Sequence, residues 1–295
     1  MRLRQLEAES IEILRELSPV FSKTVLLYSV GKDSSVLLKL AQKAFAPGEI
    51  PFPVMHIDTG FKFKEMYEFR DRVARAMNLN LVVERNQAAI ERGASPFAMG
   101  THACCGLLKT EALLSAMTKY GFRVAVGGAR RDEEKSRAKE RIFSVRRIGG
   151  SWEPRQQRPE FWNLYNTRLT EAQTLRVFPL SNWTELDVWK YIELERIEVV
   201  PLYFSERRKV IRQRGQLIPV LDESLLRPAS MVEEVACRFR TLGCWPCTGA
   251  VDSSARTVAE IIDELKSITV SERATRVIDH DETGSMEKKK REGYF

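Results

Sequence analysis

Ser29-Val30-Gly31-Lys32-Asp33-Ser34-Ser35 follows the apolar run Val25-Leu26-Leu27-Tyr28 and precedes Val36-Leu37-Leu38-Lys39-Leu40. The order reads as strand, tight polar loop, helix. Gly31 admits a backbone turn that a Cβ would hinder. The amides of Asp33 to Ser35 open the helix, where unpaired N–H groups and the helix dipole favour an anion. Lys32 adds a positive charge and the serines add hydroxyl donors, so a polyphosphate is the natural guest. The spacing G-x-x-x-x-G-K-[ST] is absent, because no second glycine precedes Lys32 and Asp33 follows it. A helix start capped by Ser29 or Asp33 is the alternative.

Outward from this loop, strands alternate with helices. Periodicity predicts strands at residues 25–28, 53–57, 81–83 and 123–126, and helices at residues 33–45, 64–77 and 107–120. An amphipathic helix with a stripe of Leu3, Leu6, Ile13, Leu14 and Leu17 precedes them. This alternation predicts an α/β fold, a doubly wound, mostly parallel sheet with helices on both faces. Right-handed crossovers then place every strand C-terminus on one edge, where ligands bind near the reversal of strand order. Residues 130–165 show little periodicity and read as a long functional loop or lid. A helix returns at residues 183–195, where Thr184 caps and Asp187 sits in the first turn. Residues 201–250 read as irregular, and residues 259–265 as a short helix. The expected division is a catalytic domain over residues 1–200 and a C-terminal region over residues 201–295 that packs on it and contributes to partner binding.

Composition sets bounds. The chain has 295 residues, 43% hydrophobic and 29% charged, with a net charge of +7. That length suffices for one large domain or a core with an appendage. The mild basic excess suits an anionic ligand and is too small to argue for nucleic acid. No apolar run approaches the ~18–20 residues of a membrane helix. The N-terminus lacks a signal core, so the cytoplasm is the expected location. Five cysteines, an odd number, argue against a secreted disulfide framework.

Three constellations add chemistry. His56-Ile57-Asp58-Thr59-Gly60 ends the second strand, where Asp58 could hold a ribose hydroxyl or magnesium, or could simply make the turn. His56, within the strand pattern, reads as a packed side chain. Gly127-Gly128-Ala129-Arg130-Arg131 ends the fourth strand on the same edge. Its glycines let the backbone approach a ligand, and Arg130, Arg131, Lys135 and Arg137 could reach phosphate or sulfate oxygens. A solvated helix start is the plain alternative. Cys104-Cys105 and the C-x-x-C of Cys244 and Cys247 could together hold zinc or an iron–sulfur cluster, or be reduced structural thiols. Cys237 is expected to pack.

The loop resembles the S-G-G-K-D-S loop of the ATP pyrophosphatase (PP-loop) group, with Val30 in place of the first glycine. That resemblance implies cleavage of ATP between the α and β phosphates. Further segments at residues 56–63, 108–111, 127–144, 158–160, 177–189, 201–203, 240–251 and 285–295 resemble the catalytic-subunit family of the bacterial heterodimeric sulfate adenylyltransferases. This family stands in the phosphoadenylylsulfate reductase-like branch. The resemblance implies an adenine nucleotide alpha hydrolase-like fold, a reaction of ATP with sulfate to give adenylyl sulfate and pyrophosphate, and a large GTPase partner. Many of its members lack the Cys104-Cys105 pair. The four paired cysteines are similar instead to the [4Fe–4S] pattern of the adenylylsulfate reductases.

On this footing Ser29, Gly31, Lys32, Asp33, Ser34 and Ser35 cradle the β and γ phosphates with Gly127 and Gly128 nearby. Magnesium lies near Asp33 or Asp58. Arg130, Arg131 and Arg137 hold the sulfate or the α-phosphate, and Lys32 neutralises the leaving charge. Rival expectations are an adenylylsulfate reductase-like or an RNA-thiolating PP-loop enzyme that uses the cysteine pairs. No cysteine follows Cys247, which counts against reduction. Exposed parts of residues 140–165 and the basic tail are the candidate partner surface.

Overall fold

The computed structural model describes residues 1–213, 215–225 and 231–276. Helix α1 (Arg2–Arg15) leads into β1 (Thr24–Leu27), α2 (Lys32–Phe45), β2 (Val54–Ile57), α3 (Lys64–Ala76) and β3 (Leu81–Glu84). Then come α4 (Gln87–Glu91) and α5 (Pro96–Cys105). A π-helical turn, Gly106–Glu111, continues α5 into α6 (Ala112–Lys119), followed by β4 (Val124–Val126). The sequence predicts these elements to within a few residues except α4 and α5, which it does not predict, and it reads the π turn and α6 as one helix.

The strands form a six-stranded sheet of order β3-β2-β1-β4-β6-β5, with β5 (Phe143–Arg147) and β6 (Gln173–Val177). All neighbours are parallel except β5, which runs antiparallel to β6 at the edge. In register, Leu26 lies between Val54 and Val126. Alternate residues feed opposite faces: Val25, Met55 and Ala125 pack on Leu113, Ala116 and Met117 of α6, while Leu26, Val54 and Val124 join the main core. Both faces are therefore covered, which is why these strands read as unbroken apolar runs. The order reverses between β1 and β4, and a crevice opens outside their C-terminal ends.

On the main-core face lie α1, α2 and α7 (Glu185–Glu195). As the sequence predicts, Thr184 caps α7 in a reciprocal box with Asp187, whose carboxylate also takes a forked bond from Arg2. Ser10 ties α1 inward, donating to the Pro179 carbonyl at 2.8 Å and accepting from the Trp183 indole at 3.0 Å.

Two stretches expected to be irregular are ordered. The presumed lid of residues 130–165 contains β5. Its alternation, like that of β6, is disguised by arginines: Arg146 and Arg176 are both buried, Arg146 against Glu140 and Arg176 with an N–H 2.8 Å from the Met117 sulfur. Residues 201–250 contain β7 (Glu206–Gln213), β8 (Gln216–Pro219) and β9 (Val232–Arg238), which with β10 (Val251–Asp252) make an antiparallel sheet of order β10-β9-β7-β8. Charged side chains dominate β7 and β9, so no apolar period announces them. Cross-strand pairs hold them instead: Arg212–Glu233 at 2.6 Å and Arg207–Glu234 at 3.2 Å. Helix α8 (Val258–Leu265) packs Ile261 and Ile262 into the same core that receives Phe239 and Tyr203. Cys237 packs there as expected. Among the described residues no helix is long and apolar enough to cross a membrane.

Candidate active site

A cavity of about 190 Å³ lies in the crevice between β1 and β4. Ser29, Gly31, Asp33 and Ser34 line one wall, and Gly127 and Gly128 the facing one. Leu27, Met55, Ile57 and Leu113 give it an apolar end. Arg137, Glu272, Arg273 and Arg276 close another side, with Thr241 to Gly243.

The loop's geometry differs from expectation in one respect. Gly31 has φ −78°, open to any residue, whereas Val30 is left-handed at φ 68° and fully buried. A β-branched residue there is strained. Gly31 instead leaves room for Tyr203, whose phenol oxygen would lie 3.4 Å from an added Cβ. Gly128 is needed for close packing: its added Cβ would meet the Asp33 carbonyl carbon, Cβ and carbonyl oxygen at 3.1, 3.2 and 3.2 Å. The glycine therefore seats the β4 loop against the first turn of α2.

Lys32 and Arg130 do converge, although neither lines the cavity. Both are about 1% exposed. Lys32 Nζ pairs with Glu272 and lies 3.2 Å from Asp33; the Arg130 guanidinium pairs with Glu272 and, at 2.7 Å, with Asp33. Burial alone would depress Lys32, but Asp33, Glu272 and Glu185 hold it above its ordinary value. Burial opposes ionisation of Asp33 as well, and Lys32 with Arg130 overturns that, so Asp33 sits below the usual carboxylate range. Glu272 goes the other way: burial pushes it up to about 7, against the pull of Arg130 and Lys32.

Other expected residues are placed elsewhere. Arg131 turns away from the cavity and spends its guanidinium on the Asn182 side chain at 2.5 Å and the Glu140 carbonyl at 3.3 Å. Ser35 faces a separate cavity between α2 and α3. Asp58 is consumed by its own turn: Oδ1 accepts from the Gly60 amide and the Tyr67 hydroxyl, both at 2.8 Å, and Oδ2 pairs with Arg85. Its carboxylate is thus committed to the turn and is absent from the cavity wall. His56 packs as expected, 1% exposed, with Nδ1 2.9 Å from the Tyr28 carbonyl oxygen. The Lys135 side chain and the tail of residues 285–295 lie outside the described residues.

Cys105, Cys244 and Cys247 rim the cavity, and Cys104 is buried behind them. Lys62, Lys109 and Arg276 stand near Cys105, and Thr59 is 3.1 Å from the Cys244 sulfur. The expected four-cysteine metal centre does not fit this arrangement. Among the described residues no group of three or more His, Cys, Asp or Glu side chains is close enough to hold a metal ion. Burial pushes Cys104 up to about 12 and, with the neighbouring cysteines, raises Cys105 and Cys247 as well.

Sequence reasoning missed Tyr203, Glu272, Arg273 and Arg276. They reach the cavity from beyond residue 200, through long-range contacts that leave no local pattern.

The profile of the phosphoadenosine phosphosulfate reductase domain matches residues 23–250. A relative from Saccharophagus degradans, a sulfate adenylyltransferase subunit 2, is 57% identical over 99% of this chain and 97% of its own. Proteins of the same name from Klebsiella pneumoniae and Bacteroides fragilis are each 56% identical over the same shares. Among solved structures, the phosphoadenylyl-sulfate reductase of Candida auris, as a phosphate complex, aligns with a TM-score of 0.47 at 18% identity, covering 65% of this chain and 82% of that one.

Proposed function

The chain belongs to the sulfate adenylyltransferase subunit 2 family, built on the phosphoadenosine phosphosulfate reductase domain, and we propose that its two substrates meet in the crevice between residues 29–34 and Gly127–Gly128. It is a nucleotidyltransferase that uses ATP and sulfate to make adenylyl sulfate and pyrophosphate. The observation that carries the site assignment is the convergence of the phosphate loop and the diglycine loop at the reversal of strand order.

In this reading the apolar end, Leu27, Met55, Ile57 and Leu113, takes the adenine. Ser29, Gly31, Ser34 and the amides of Asp33 and Ser34 take the β and γ phosphates, the Lys32 amide being held by Tyr203. Lys32 and Arg130 neutralise the charge that develops on the leaving pyrophosphate. Asp33, ionised and on the wall, would hold a magnesium ion by giving up one of its contacts to Lys32 and Arg130, and the ion would supply further neutralisation. Sulfate is already ionised and needs no proton removed, so placement and charge dominate. Arg137, with Lys62, Lys109 and Arg276, supplies positive charge for sulfate and the α-phosphate. Arg131 supports the wall from behind.

The name of the relatives makes this chain one subunit of a multi-subunit enzyme. Its partner, in our reading, is a large GTPase whose hydrolysis of GTP offsets an unfavourable equilibrium. Within residues 140–165, Trp162 is 88% exposed and stands beside exposed Phe161 and Leu164, which suits that contact. Tyr203, Thr241 to Cys244, Glu272, Arg273 and Arg276 act as the cap of the site. Five free cysteines suit the reducing cytoplasm, where we place the reaction.

The test is pyrophosphate release dependent on both ATP and sulfate, with and without the partner and GTP. Lys32→Ala should lower turnover by roughly two orders of magnitude. Near-normal turnover in that variant would remove Lys32 from the mechanism.

A further inference from the structure

We infer that Glu272 is the counter-ion of the phosphate cradle, exchanged for polyphosphate on binding and restored as pyrophosphate leaves. The inference rests on the assignment of Lys32 and Arg130 to the phosphates.

The carboxylate of Glu272 bridges those two cations, one oxygen to each. Lys32 and Arg130 do not line the cavity, whereas Glu272 and Asp33 do. What a ligand meets is therefore the carboxylate side of the cluster. Two oxygens held between the same two cations are also what a phosphate would present. Phosphate and carboxylate cannot occupy that place together. With Glu272 in place, Lys32 and Arg130 face the carboxylates of Glu272, Asp33 and, at 3.4 Å from Arg130, Asp132, so an incoming polyphosphate gains little until Glu272 withdraws.

The segment that carries Glu272 suits exchange. Glu272–Thr275 is a single 3₁₀ turn, and none of its side chains belongs to the hydrophobic core. Its anchors are polar: Ser271 donates to the Glu133 carbonyl at 2.8 Å, Arg273 pairs with the Glu133 carboxylate at 2.7 Å, Arg276 donates to the Leu242 carbonyl at 3.0 Å, and the Ala274 and Thr275 carbonyls accept from the Gln216 side chain at 3.2 Å and the Gly249 amide at 2.9 Å. The turn can leave without opening the core. The groups that face Glu272 are Lys32, Arg130, Asp33, Glu185 and Tyr203, the last two from α7 and the turn before β7. Glu185 is itself held by Arg240 at 2.6 Å. Burial and the two acidic neighbours, Glu185 and Asp33, make Glu272 a reluctant anion, held less firmly than its two partners alone would dictate. Its return to Lys32 and Arg130 competes with pyrophosphate and speeds product release.

A competitor inside the site lowers apparent affinity in proportion to its occupancy. Calorimetry of inorganic pyrophosphate with the full chain should show Glu272→Gln binding about ten-fold tighter or more, and Glu272→Asp, which keeps the charge, near wild type. In turnover, Glu272→Gln should lower both KM for ATP and kcat, where mere loosening of the fold would raise KM. Unchanged or weaker pyrophosphate binding in Glu272→Gln overturns the exchange. Should that variant not fold, hydrogen exchange on the wild-type chain decides. Saturating pyrophosphate should strip protection from residues 271–276, and unchanged or increased protection overturns the exchange. Binding that survives Lys32→Ala at full strength overturns the phosphate assignment and the exchange with it. Binding lost in Lys32→Ala but no tighter in Glu272→Gln overturns the exchange alone.

Discussion

The phenol oxygen of Tyr203 accepts a hydrogen bond of 2.7 Å from the backbone amide of Lys32, at the first residue of α2. A helix leaves its first amides without internal partners, and here a side chain 171 residues away satisfies one of them. Tyr203 is fixed edge-on against Trp189, with ring centroids 5.3 Å apart. Tyr203→Phe keeps that packing and removes the acceptor. The buried amide then loses its partner, at a cost of about 1–2 kcal/mol. Urea denaturation without nucleotide should show a loss of that size; an unchanged midpoint would mean that water replaces the phenol.

Gly128 and Gly31 should respond differently to the same added methyl. At Gly128 the methyl meets Asp33 main-chain atoms from 3.1 Å, and the start of α2 must move. Displacement of a reacting group by a fraction of an ångström is expected to cost about ten-fold in kcat/KM. At Gly31 the nearest atom is the Tyr203 oxygen at 3.4 Å, and the backbone is already in an ordinary region. Steady-state kinetics should therefore rank Gly128→Ala well below Gly31→Ala, and the reverse order would contradict the packing argument.

Val30 sets two effects against each other. Its left-handed backbone costs about 1–2 kcal/mol that glycine would not incur. Its buried side chain contributes about 1.5–3 kcal/mol that glycine would forfeit. Val30→Gly should change stability by only about 1 kcal/mol. Val126→Gly removes an equally buried side chain from a strand without that relief, and should cost about 3 kcal/mol or more. Similar losses in the two variants would rule out strain at Val30.

His56 makes stability fall in mild acid. Burial, aided by the positive charges of Lys62 and Arg70, lowers it from 6.5 to about 4. A group with a depressed folded pKa that must stay neutral gives its full contribution above 6.5 and loses it as pH falls towards 4. The whole span is worth roughly 3 kcal/mol. Denaturant midpoints measured from pH 7 to pH 4.5 should fall more steeply for wild type than for His56→Gln. Parallel profiles would assign the acid sensitivity to other groups.

The parallel core was legible because its strands are buried on both faces and its helices are amphipathic. The residues at 25–28 and 124–126 carry that signal in a few letters. The phosphate loop was legible for a different reason: its chemistry is local, with donors and charge within seven residues. What sequence missed is what depends on distant partners. Nothing near residue 272 says that its carboxylate will bridge Lys32 and Arg130. Asp58 had two readings, and only the positions of Tyr67 and Arg85 separate them. The strands β5, β6, β7 and β9 were hidden because charge, rather than alternating apolar side chains, marks them.

The antiparallel sheet makes ionic strength a selective agent on this molecule. Exposed ion pairs such as Arg207–Glu234 and Lys209–Glu223 are screened over about 10 Å at 0.1 M salt, whereas apolar contacts under the parallel sheet are not. The segment from Phe239 to Arg276, which walls the cavity, is threaded onto that sheet through β9 and β10. Salt therefore loosens the charged outer face of that sheet, while Val210, Leu217 and Cys237 keep its inner face in the same core as Leu26 and Val54. Amide exchange in β7 and β9 should quicken between 20 mM and about 0.5 M salt, with β1 and β4 unmoved.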